Sequence, residues 1–369
     1  MNFLENIGEL YSVLDRSFDS PDSLRQEALN KAEDAQGLSI GEAALLLSAP
    51  ASWDQKIFDV AAKVNYQVKQ NVITFYGVVY IHDFCVNDCR YCGDSIRAGN
   101  SRRLLTTEEL VKDVDVLLGH HALKEICFLM GEDPERFGYG DLIRSLEAVS
   151  KSYHEKIILN IPPLSVRRFR DIRSAIPDNR LHFRVFQETY DTEIYAREHL
   201  LGPKKDYKWR VNSQARALEA GFDEVGHGVL YGLNDKAHGH LFDTLAMLAH
   251  AQDLYQRFGK RSQSMSFPRI QPAPGINYHP AAVVDDDTLI RCVSVIKLAD
   301  PQIDIVITCR ETAAFRHRIR PIVNIEDFAA RPGPGGNSIP EVRQQMLLPD
   351  MRSGEEVREE MIHDGYTVQ

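Results

Sequence analysis

From residue 72 onward, the chain alternates between short apolar runs and longer stretches with apolar residues at helical spacing. Continuously apolar runs are typical of parallel strands buried on both faces, and the longer stretches are typical of amphipathic helices. Eight strands that alternate with helices predict an α/β fold of the (β/α)8 TIM-barrel type. The predicted strands lie at residues 72–81, 123–130, 156–161, 181–186, 223–232, 263–270, 304–308 and 320–325.

The two ends of the chain have a different pattern. Residues 1–70 have helical spacing without a strand signal, and Ser39 is a predicted helix N-cap. The end of the chain reads as one more helix with a short extension. We therefore predict an N-terminal helical extension at 1–70, the barrel at 71–340 and a helical C-terminal tail at 341–369.

Composition and charge narrow the classes of protein to consider. The chain has 369 residues, 43% of them apolar, which suits one large barrel. A net charge of −10 and the lack of a basic stripe argue against a nucleic-acid partner. No apolar run reaches the roughly 18 residues of a membrane span, and the acidic, amphipathic N-terminus is unlike a signal peptide. Six cysteines, three of them clustered, fit a reducing cytoplasm.

The clustered cysteines follow the first predicted strand, in the run FCVNDCRYC, as Cys85, Cys89 and Cys92. A [4Fe–4S] cluster takes four ligands, so three cysteines without an evident fourth indicate a cluster with one open iron. Such an iron can hold a small molecule. His82 as the fourth ligand of a zinc site, three reactive thiols, or a disulfide with one thiol left over are the alternatives. The remaining cysteines, Cys127, Cys292 and Cys309, lie singly in apolar runs and are predicted to be buried.

Polar residues gather where the predicted strands end, which is the face that carries function in TIM barrels. These residues are Gly131, Glu132, Asp133, Asn160, Gln187, Glu188, Arg269, Arg310 and Glu311. With the cysteine motif they predict an active site at the mouth of the barrel.

The cysteine spacing, with Tyr91 before the third cysteine, is the signature of the radical S-adenosylmethionine (SAM) enzymes. The chain resembles their aromatic amino-acid lyase group over about residues 75–312. That group includes 2-iminoacetate synthase, the tyrosine lyase of hydrogenase maturation and the tryptophan lyase that makes 3-methyl-2-indolate. The segments that carry the resemblance are FCVNDCRYCG, FLMGEDP, FRVFQETYDTEIY, GPKKDYKWRV, RALEAGFDEVGHGVLYGL, SFPRIQPA and ITCRE.

The resemblance implies a [4Fe–4S] cluster on the three cysteines and SAM on its fourth iron. One electron, from a reductase or a flavodoxin or ferredoxin, would cleave SAM to methionine and a 5′-deoxyadenosyl radical. That radical would take a hydrogen atom from the amine of a free amino-acid substrate, which then fragments. Gly131 and Glu132 would lie beside the SAM amino group, and Arg210 would reach the SAM carboxylate. The implied cofactor-binding residues are Tyr91, Gly131, Glu132, Asn160, Gln187 and Arg210.

Three residues are implied in catalysis. Arg310 matches the arginine that clamps the substrate carboxylate, and a guanidinium fork suits that task. Its alternative is an ion pair with Glu311 or Glu188. Tyr80 would face the substrate or simply fill the barrel. Glu188 would contact the SAM ribose or the catalytic centre.

Two departures from the group concern the substrate and the cofactors. The segment at 325–338, IEDFAARPGPGGNS, has FAA where the lyases carry serines near the substrate ring. Its glycines suggest a phosphate cradle or, without a P-loop lysine, a turn that covers the substrate. No cysteine follows Cys309, so we expect no second cluster and no release of cyanide and carbon monoxide.

The resulting hypothesis is a radical SAM lyase that breaks the Cα–Cβ bond of tyrosine to give p-cresol and dehydroglycine. The same core acting on tryptophan or another amino acid is the alternative within the group. A non-catalytic iron–sulfur or zinc-stabilised protein is the alternative outside it. A radical methyltransferase or peptide-modifying enzyme fits less well, because we expect no cobalamin or leader-peptide domain.

Overall fold

The computed structural model describes residues 6–120, 123–327 and 329–369. Three parts of the predictions lie outside those residues. They are residues 1–5 of the helical extension, residues 121–122 just before the second predicted strand, and Phe328 of the glycine-rich segment.

Eight parallel strands form a closed barrel in chain order, with β1 between β8 and β2. This confirms the predicted (β/α)8 fold. The strands are β1 Val72–His82, β2 Glu125–Met130, β3 Lys156–Asn160, β4 Leu181–Glu188, β5 Glu224–Val229, β6 Ser264–Ser266, β7 Asp304–Ile307 and β8 Ile325–Asp327.

The last barrel strand differs from its predicted position. Residues predicted at 320–325 instead form a short 3-10 turn, Arg320–Ile322, and the strand begins only at Ile325. Pro321 has no backbone N–H to give to a strand ladder, although the apolar run around it resembles one. The 325–338 segment therefore starts within β8 instead of following it.

Helices cover the outside of the barrel and begin at side-chain caps in several places. Ser165, Asp285 and Thr312, for example, each accept a backbone N–H of the following first turn. The helices are Thr107–His120, Tyr139–Ser150, Val166–Ala175, Thr192–Glu198, Tyr207–Val211, Ser213–Glu219, Gly239–Phe258, Asp286–Ala299 and Ala313–Ile319. No helix in the described part of the chain is long and apolar enough to cross a membrane.

The N-terminal part is helical, as predicted, and packs against the outer helices Gly239–Phe258 and Asp286–Ala299. Tyr11 stacks on Phe242 with 3.9 Å between ring centroids. The N-cap prediction for Ser39 is confirmed by a reciprocal capping box with Glu42. The four helices are Glu9–Phe18, Asp22–Glu33, Ile40–Leu47 and Asp54–Lys69.

The C-terminal part contains the predicted helix, Gly354–His363, and a strand that was not predicted. This strand, β9 (Thr367–Val368), pairs in parallel with the first residues of β1. Before the helix, residues 329–350 cross the mouth of the barrel without regular structure, and we call them the strap. Met346 and Leu348 of the strap line a cavity in the barrel.

Candidate active site

The carboxyl ends of the strands surround a cavity, which we call the mouth cavity, of about 770 Å³ that is partly open to solvent. It unites most of the residues that the sequence singled out. Those lining it are Tyr80, Cys85, Cys89, Cys92, Gly131, Glu132, Asn160, Arg210 and Arg310. The parallel strands bring them together because their C-terminal ends meet at one face of the barrel.

Two smaller cavities adjoin it. A side pocket contains Tyr91 and Glu188, and an inner chamber reaches into the barrel and contains Tyr80 and Asn160. Arg310 lines all three cavities. The site is therefore one branched space with Arg310 at its junction.

The three cysteines lie along the loop after β1 and receive hydrogen bonds at sulfur. Asn87 Nδ2 donates to Cys85 Sγ, and the backbone N–H of Asp94 donates to Cys92 Sγ, both at 3.4 Å. Burial raises the pKa of the Cys89 thiol to about 12. A positive centre such as a metal cluster therefore has to be present for these thiols to become ligating thiolates.

The thiol arrangement fits a cluster better than a single zinc ion. Two thiolates on one zinc lie at most about 4.6 Å apart, because each Zn–S bond is about 2.3 Å. Among the described residues, the three cysteine sulfurs do not form a set whose atoms all lie within 4.8 Å of one another. All six cysteines are free, so the disulfide alternative is not found.

His82 does not complete a zinc site with these thiols. Its ring is fully buried against Phe137, with 4.9 Å between centroids, and it is not among the residues that line the mouth cavity. Burial lowers the pKa of His82 to about 4, so the ring stays neutral. The isolated cysteines Cys127, Cys292 and Cys309 are buried, as predicted.

The loop after β2 fits against the cysteine loop because one residue has no side chain. Gly131 N–H donates to His82 O at 2.9 Å, and a Cβ at this position would lie 2.1 Å from Phe84 O. The next residue, Glu132, accepts from Asn87 Nδ2 at 2.7 Å. Asn87 therefore connects the cysteine loop to Glu132, a role that the sequence did not indicate.

Glu188 is held by two cations at the end of β4. Lys204 Nζ lies 2.6 Å from its Oε1, and Arg210 Nη2 lies 3.6 Å away. Burial raises the pKa of Glu188, but Lys204 and Arg210 outweigh it and lower the pKa overall. Its φ of 71° is unusual for a non-glycine residue. Glu188 is thus an ionised anchor for Lys204, which lines the mouth cavity and was not predicted.

Tyr91 is fixed by a chain of hydrogen bonds. His199 Nδ1 lies 2.8 Å from Tyr195 O, which assigns the proton to Nδ1 and leaves Nε2 to accept from the Tyr91 hydroxyl at 2.9 Å. Burial, with Lys204 nearby, lowers the pKa of His199 to about 3. Lys204 Nζ also donates to the Tyr91 hydroxyl at 3.2 Å. The ring beside the third cysteine is therefore held in place.

The alternative ion pairs for Arg310 are not formed. Glu311 binds Arg269, whose Nε donates to it at 2.8 Å, and Glu188 binds Lys204 and Arg210. Within the described part of the chain, no carboxylate forms a salt bridge with the Arg310 guanidinium. Arg269 lies three residues after the end of β6 and is held by Glu311 and Asp286.

Tyr80 both fills the barrel and lines two of the cavities. Its hydroxyl donates to Gln345 Oε1 of the strap at 3.1 Å. Gln345 in turn donates to Cys92 Sγ at 3.4 Å and to Asp94 Oδ2 at 2.8 Å. Gln345 is a site residue without a sequence signal, because it lies in irregular chain far from the motif.

Gln187 is the predicted site residue that the structure leaves outside the three cavities. The register of β4 on β5 shifts between Phe186 and Glu188, so Gln187 is the extra residue of a bulge. Its buried Nε2 has no hydrogen-bond partner in the described part of the protein.

This chain is similar to known proteins of one superfamily. A profile of the radical SAM superfamily matches residues 79–245, which include the cysteine loop and the loop after β2. The chain contains a radical SAM domain. This domain works with a [4Fe–4S] cluster and SAM, so the cofactor prediction is confirmed.

Two relatives match more of this chain than the domain profile does. The chain is 28% identical to 2-iminoacetate synthase of Escherichia coli (strain K12) over 304 residues, covering 82% of this chain and 78% of the relative. It is 29% identical to 2-iminoacetate synthase of Salmonella typhimurium, with the same coverage. The resemblance that the sequence motifs indicate is confirmed.

Solved structures agree with this assignment. HydG, a maturase of the [FeFe]-hydrogenase, superposes with a TM-score of 0.92 at 28% identity, covering all of this chain and 81% of HydG. HydG from Carboxydothermus hydrogenoformans gives 0.90 at 28% identity, covering 84% of that chain. Methylornithine synthase shares the fold, with a TM-score of 0.75 at 18% identity.

Proposed function

We propose that this radical SAM enzyme is a carbon–carbon lyase that acts on a free α-amino acid. Its substrate is tyrosine, which it breaks between Cα and Cβ to give p-cresol and dehydroglycine. The observation that carries the proposal is the guanidinium of Arg310, which lies in the same cavity as the three cysteines and has no salt-bridge partner among the described residues. A free cation beside a cluster site suits a substrate that brings its own carboxylate.

The relatives support this class of reaction. 2-Iminoacetate synthase is named for the product that an amino acid leaves when its side chain is removed as a separate fragment, and dehydroglycine is the same compound. The match covers 82% of this chain and 78% of each relative.

When bound, the cluster and SAM supply a 5′-deoxyadenosyl radical that abstracts hydrogen. The three cysteine thiolates would hold the cluster. Glu132 and Arg210, on neighbouring walls of the mouth cavity, offer an acceptor for the SAM amino group and a donor for its carboxylate. Both side chains are already oriented, because Asn87 donates to Glu132 and Arg210 Nε donates to Phe186 O at 2.8 Å.

Arg310 would bind the substrate carboxylate through its two parallel N–H donors. This contact fixes the amino group relative to the radical, and position decides which hydrogen is taken. The strap contributes Pro332, Met346 and Leu348 to the lining of the inner chamber. Apolar cover excludes water from a reactive intermediate.

The electron donor would be a reductase or a flavodoxin or ferredoxin. An oxygen-sensitive cluster that must be reduced fits a reducing compartment, and we therefore propose that the enzyme works in the cytoplasm.

The test is an anaerobic assay of the reconstituted enzyme with SAM and dithionite, given tyrosine and tryptophan separately. We expect tyrosine to stimulate formation of 5′-deoxyadenosine together with p-cresol and glyoxylate, the hydrolysis product of dehydroglycine. If tryptophan instead gives 3-methyl-2-indolate, tryptophan and not tyrosine is the substrate. A Cys89→Ala enzyme should form no 5′-deoxyadenosine and is the control for cluster-dependent cleavage.

A further inference from the structure

A second arginine lies deeper in the barrel than the residues described so far. Arg184, on β4, is only 2% exposed and lines the inner chamber. It lies four residues before Glu188, where β4 ends, which corresponds to about 13 Å along a strand. Arg310 therefore lies at the outer end of the chamber and Arg184 towards its inner end.

The guanidinium of Arg184 lacks the partners that buried arginines normally have. Its Nε and Nη2 have no hydrogen-bond partner in the described part of the protein. Its Cζ lies 5.4 Å from the centroid of the Tyr76 ring, a cation–π contact of moderate strength. Arg316 is equally buried, yet it donates to Glu326 Oε2 at 2.7 Å and to Asp350 Oδ2 at 2.8 Å.

Among the described residues that line the chamber, one carboxylate is present, and it already accepts hydrogen bonds. Asp327 Oδ1 accepts from Cys309 N at 2.7 Å and from Cys309 Sγ at 3.0 Å, and Arg316 Nη2 lies 3.8 Å away. A buried cation without a hydrogen-bonded anion is costly, so this arrangement persists where a ligand supplies the missing acceptor. The chamber is therefore built to receive an oxygen acceptor at its inner end.

We propose that Arg184 determines specificity by binding an oxygen acceptor at the end of the substrate side chain, while Arg310 holds the substrate carboxylate. The inference rests on the proposed function and narrows it to a substrate class. A guanidinium only donates hydrogen bonds, and a phenol or carboxylate oxygen accepts them. The indole N–H of tryptophan only donates, and the phenyl ring of phenylalanine does neither, so both would leave Arg184 unpaired.

The first test is thermal stability of the reconstituted enzyme without amino acid. Arg184→Met replaces an unpaired buried cation by an apolar side chain of similar length, so the Tm should stay the same or rise. Arg316→Met is the matched control, and its Tm should fall because the buried carboxylates Glu326 and Asp350 each lose a hydrogen-bond donor. A drop for Arg184→Met as large as that for Arg316→Met would mean that Arg184 is structural, and would overturn the proposal.

The second test is calorimetric binding of amino acids to the SAM-loaded enzyme without reductant. The wild-type enzyme should bind tyrosine about 10- to 100-fold more tightly than phenylalanine, as expected for a hydrogen bond to a charged group. Arg184→Met should bind the two equally, and Arg184→Lys should lie between. Glutamate shows whether a side-chain carboxylate is accepted in place of the phenol, and tryptophan, whose indole N–H only donates, should bind no more tightly than phenylalanine.

The two tests separate this inference from the proposed reaction. Equal wild-type affinity for tyrosine and phenylalanine, an unchanged ratio in Arg184→Met, or no binding of either oxygen-bearing side chain would overturn the role of Arg184. Any of these results leaves the lyase reaction standing if p-cresol forms in the activity assay. If tyrosine binds through Arg184 but no p-cresol forms, the proposed lyase reaction is wrong and the proposed role of Arg184 stands.

Discussion

Gln345 donates a hydrogen bond from Nε2 to the sulfur of Cys92 at 3.4 Å, across 253 residues of chain. The strap thus contacts the cysteine loop directly. Hydrogen bonds to ligating sulfur are one of the factors that set the potential of an iron–sulfur cluster, because they stabilise the added negative charge.

Replacement of Gln345 by leucine should lower the reduction potential of the cluster. The variant loses the N–H donor to Cys92 and keeps a side chain of similar size. The potential can be measured by an EPR-monitored redox titration, and Gln344→Ala on the neighbouring residue is the control. A potential equal to that of the wild type would mean that the hydrogen bond does not form once the cluster is bound.

Replacement of Arg310 by methionine should separate SAM chemistry from substrate chemistry. The loss of a charged hydrogen bond to the carboxylate is worth about 1.5–3 kcal/mol, or roughly a 10- to 150-fold loss of kcat/KM. SAM affinity and slow uncoupled cleavage should persist. Arg318→Met, which removes an exposed arginine paired with Asp287, serves as the control. Unchanged tyrosine-dependent 5′-deoxyadenosine formation by Arg310→Met would rule out the clamp.

Gly131→Ala should damage the site through backbone contact alone. The added Cβ would lie 2.1 Å from Phe84 O, so the cysteine loop or the loop after β2 has to move. We expect less iron bound per chain after reconstitution, together with a lower Tm. Gly41→Ala, in a helix where an added Cβ meets nothing within 4 Å, should keep or slightly raise stability. Wild-type iron content in Gly131→Ala would show that the loops can separate without cost.

Stability should fall in acid through Glu224 at the start of β5. Its carboxylate lies 3.1 Å from Lys156 Nζ and from His182 Nδ1. Burial raises the pKa of Glu224, but His182, Lys156 and Arg180 outweigh it and lower the pKa to about 2. Because the pKa is depressed from an unfolded value near 4.5, the stabilisation is present above pH 4.5 and is lost as the pH falls towards 2.

The corresponding variant is Glu224→Gln. Urea unfolding at pH 7 should show a loss on the order of 2–3 kcal/mol relative to the wild type, and the difference should shrink as the pH is lowered to 3. His182 acts in the same direction, because burial lowers its pKa to about 4 and protonation in acid therefore favours the unfolded chain. A difference that stays constant between pH 7 and pH 3 would contradict this account.

The barrel could be predicted from sequence because apolar runs such as those of β1, β2 and β3 alternate with stretches of helical spacing, a pattern typical of buried parallel strands. Where the pattern misled, the cause was local. The run around Pro321 is apolar but bends into a 3-10 turn, and β9 has only two residues, too few for a pattern.

The site was predictable where function depends on adjacent residues, as in the cysteine motif and the Gly131–Glu132 pair. Gln345 reaches the site through a contact between distant segments and gave no signal. Asn87 and Lys204 lie within the quoted motifs, but their contacts with Glu132 and Glu188 depend on the fold. Gln187, outside the three cavities, lies at a register shift of β4 on β5, which no pattern in the sequence marks. Arg184, inside an apolar run, looked like part of the strand.

The strap and β9 also bear on how the enzyme is made. The three cysteines of the motif leave the ribosome long before Gln345, which contacts Cys92, and before β9, which pairs with β1. Chains grow at roughly 5–20 residues per second, so these thiols wait for many seconds without their cover. During that time the nascent cysteines are open to oxidation and to stray metals. Delivery of iron and sulfide is therefore best timed after release of the chain, when the barrel has closed around them.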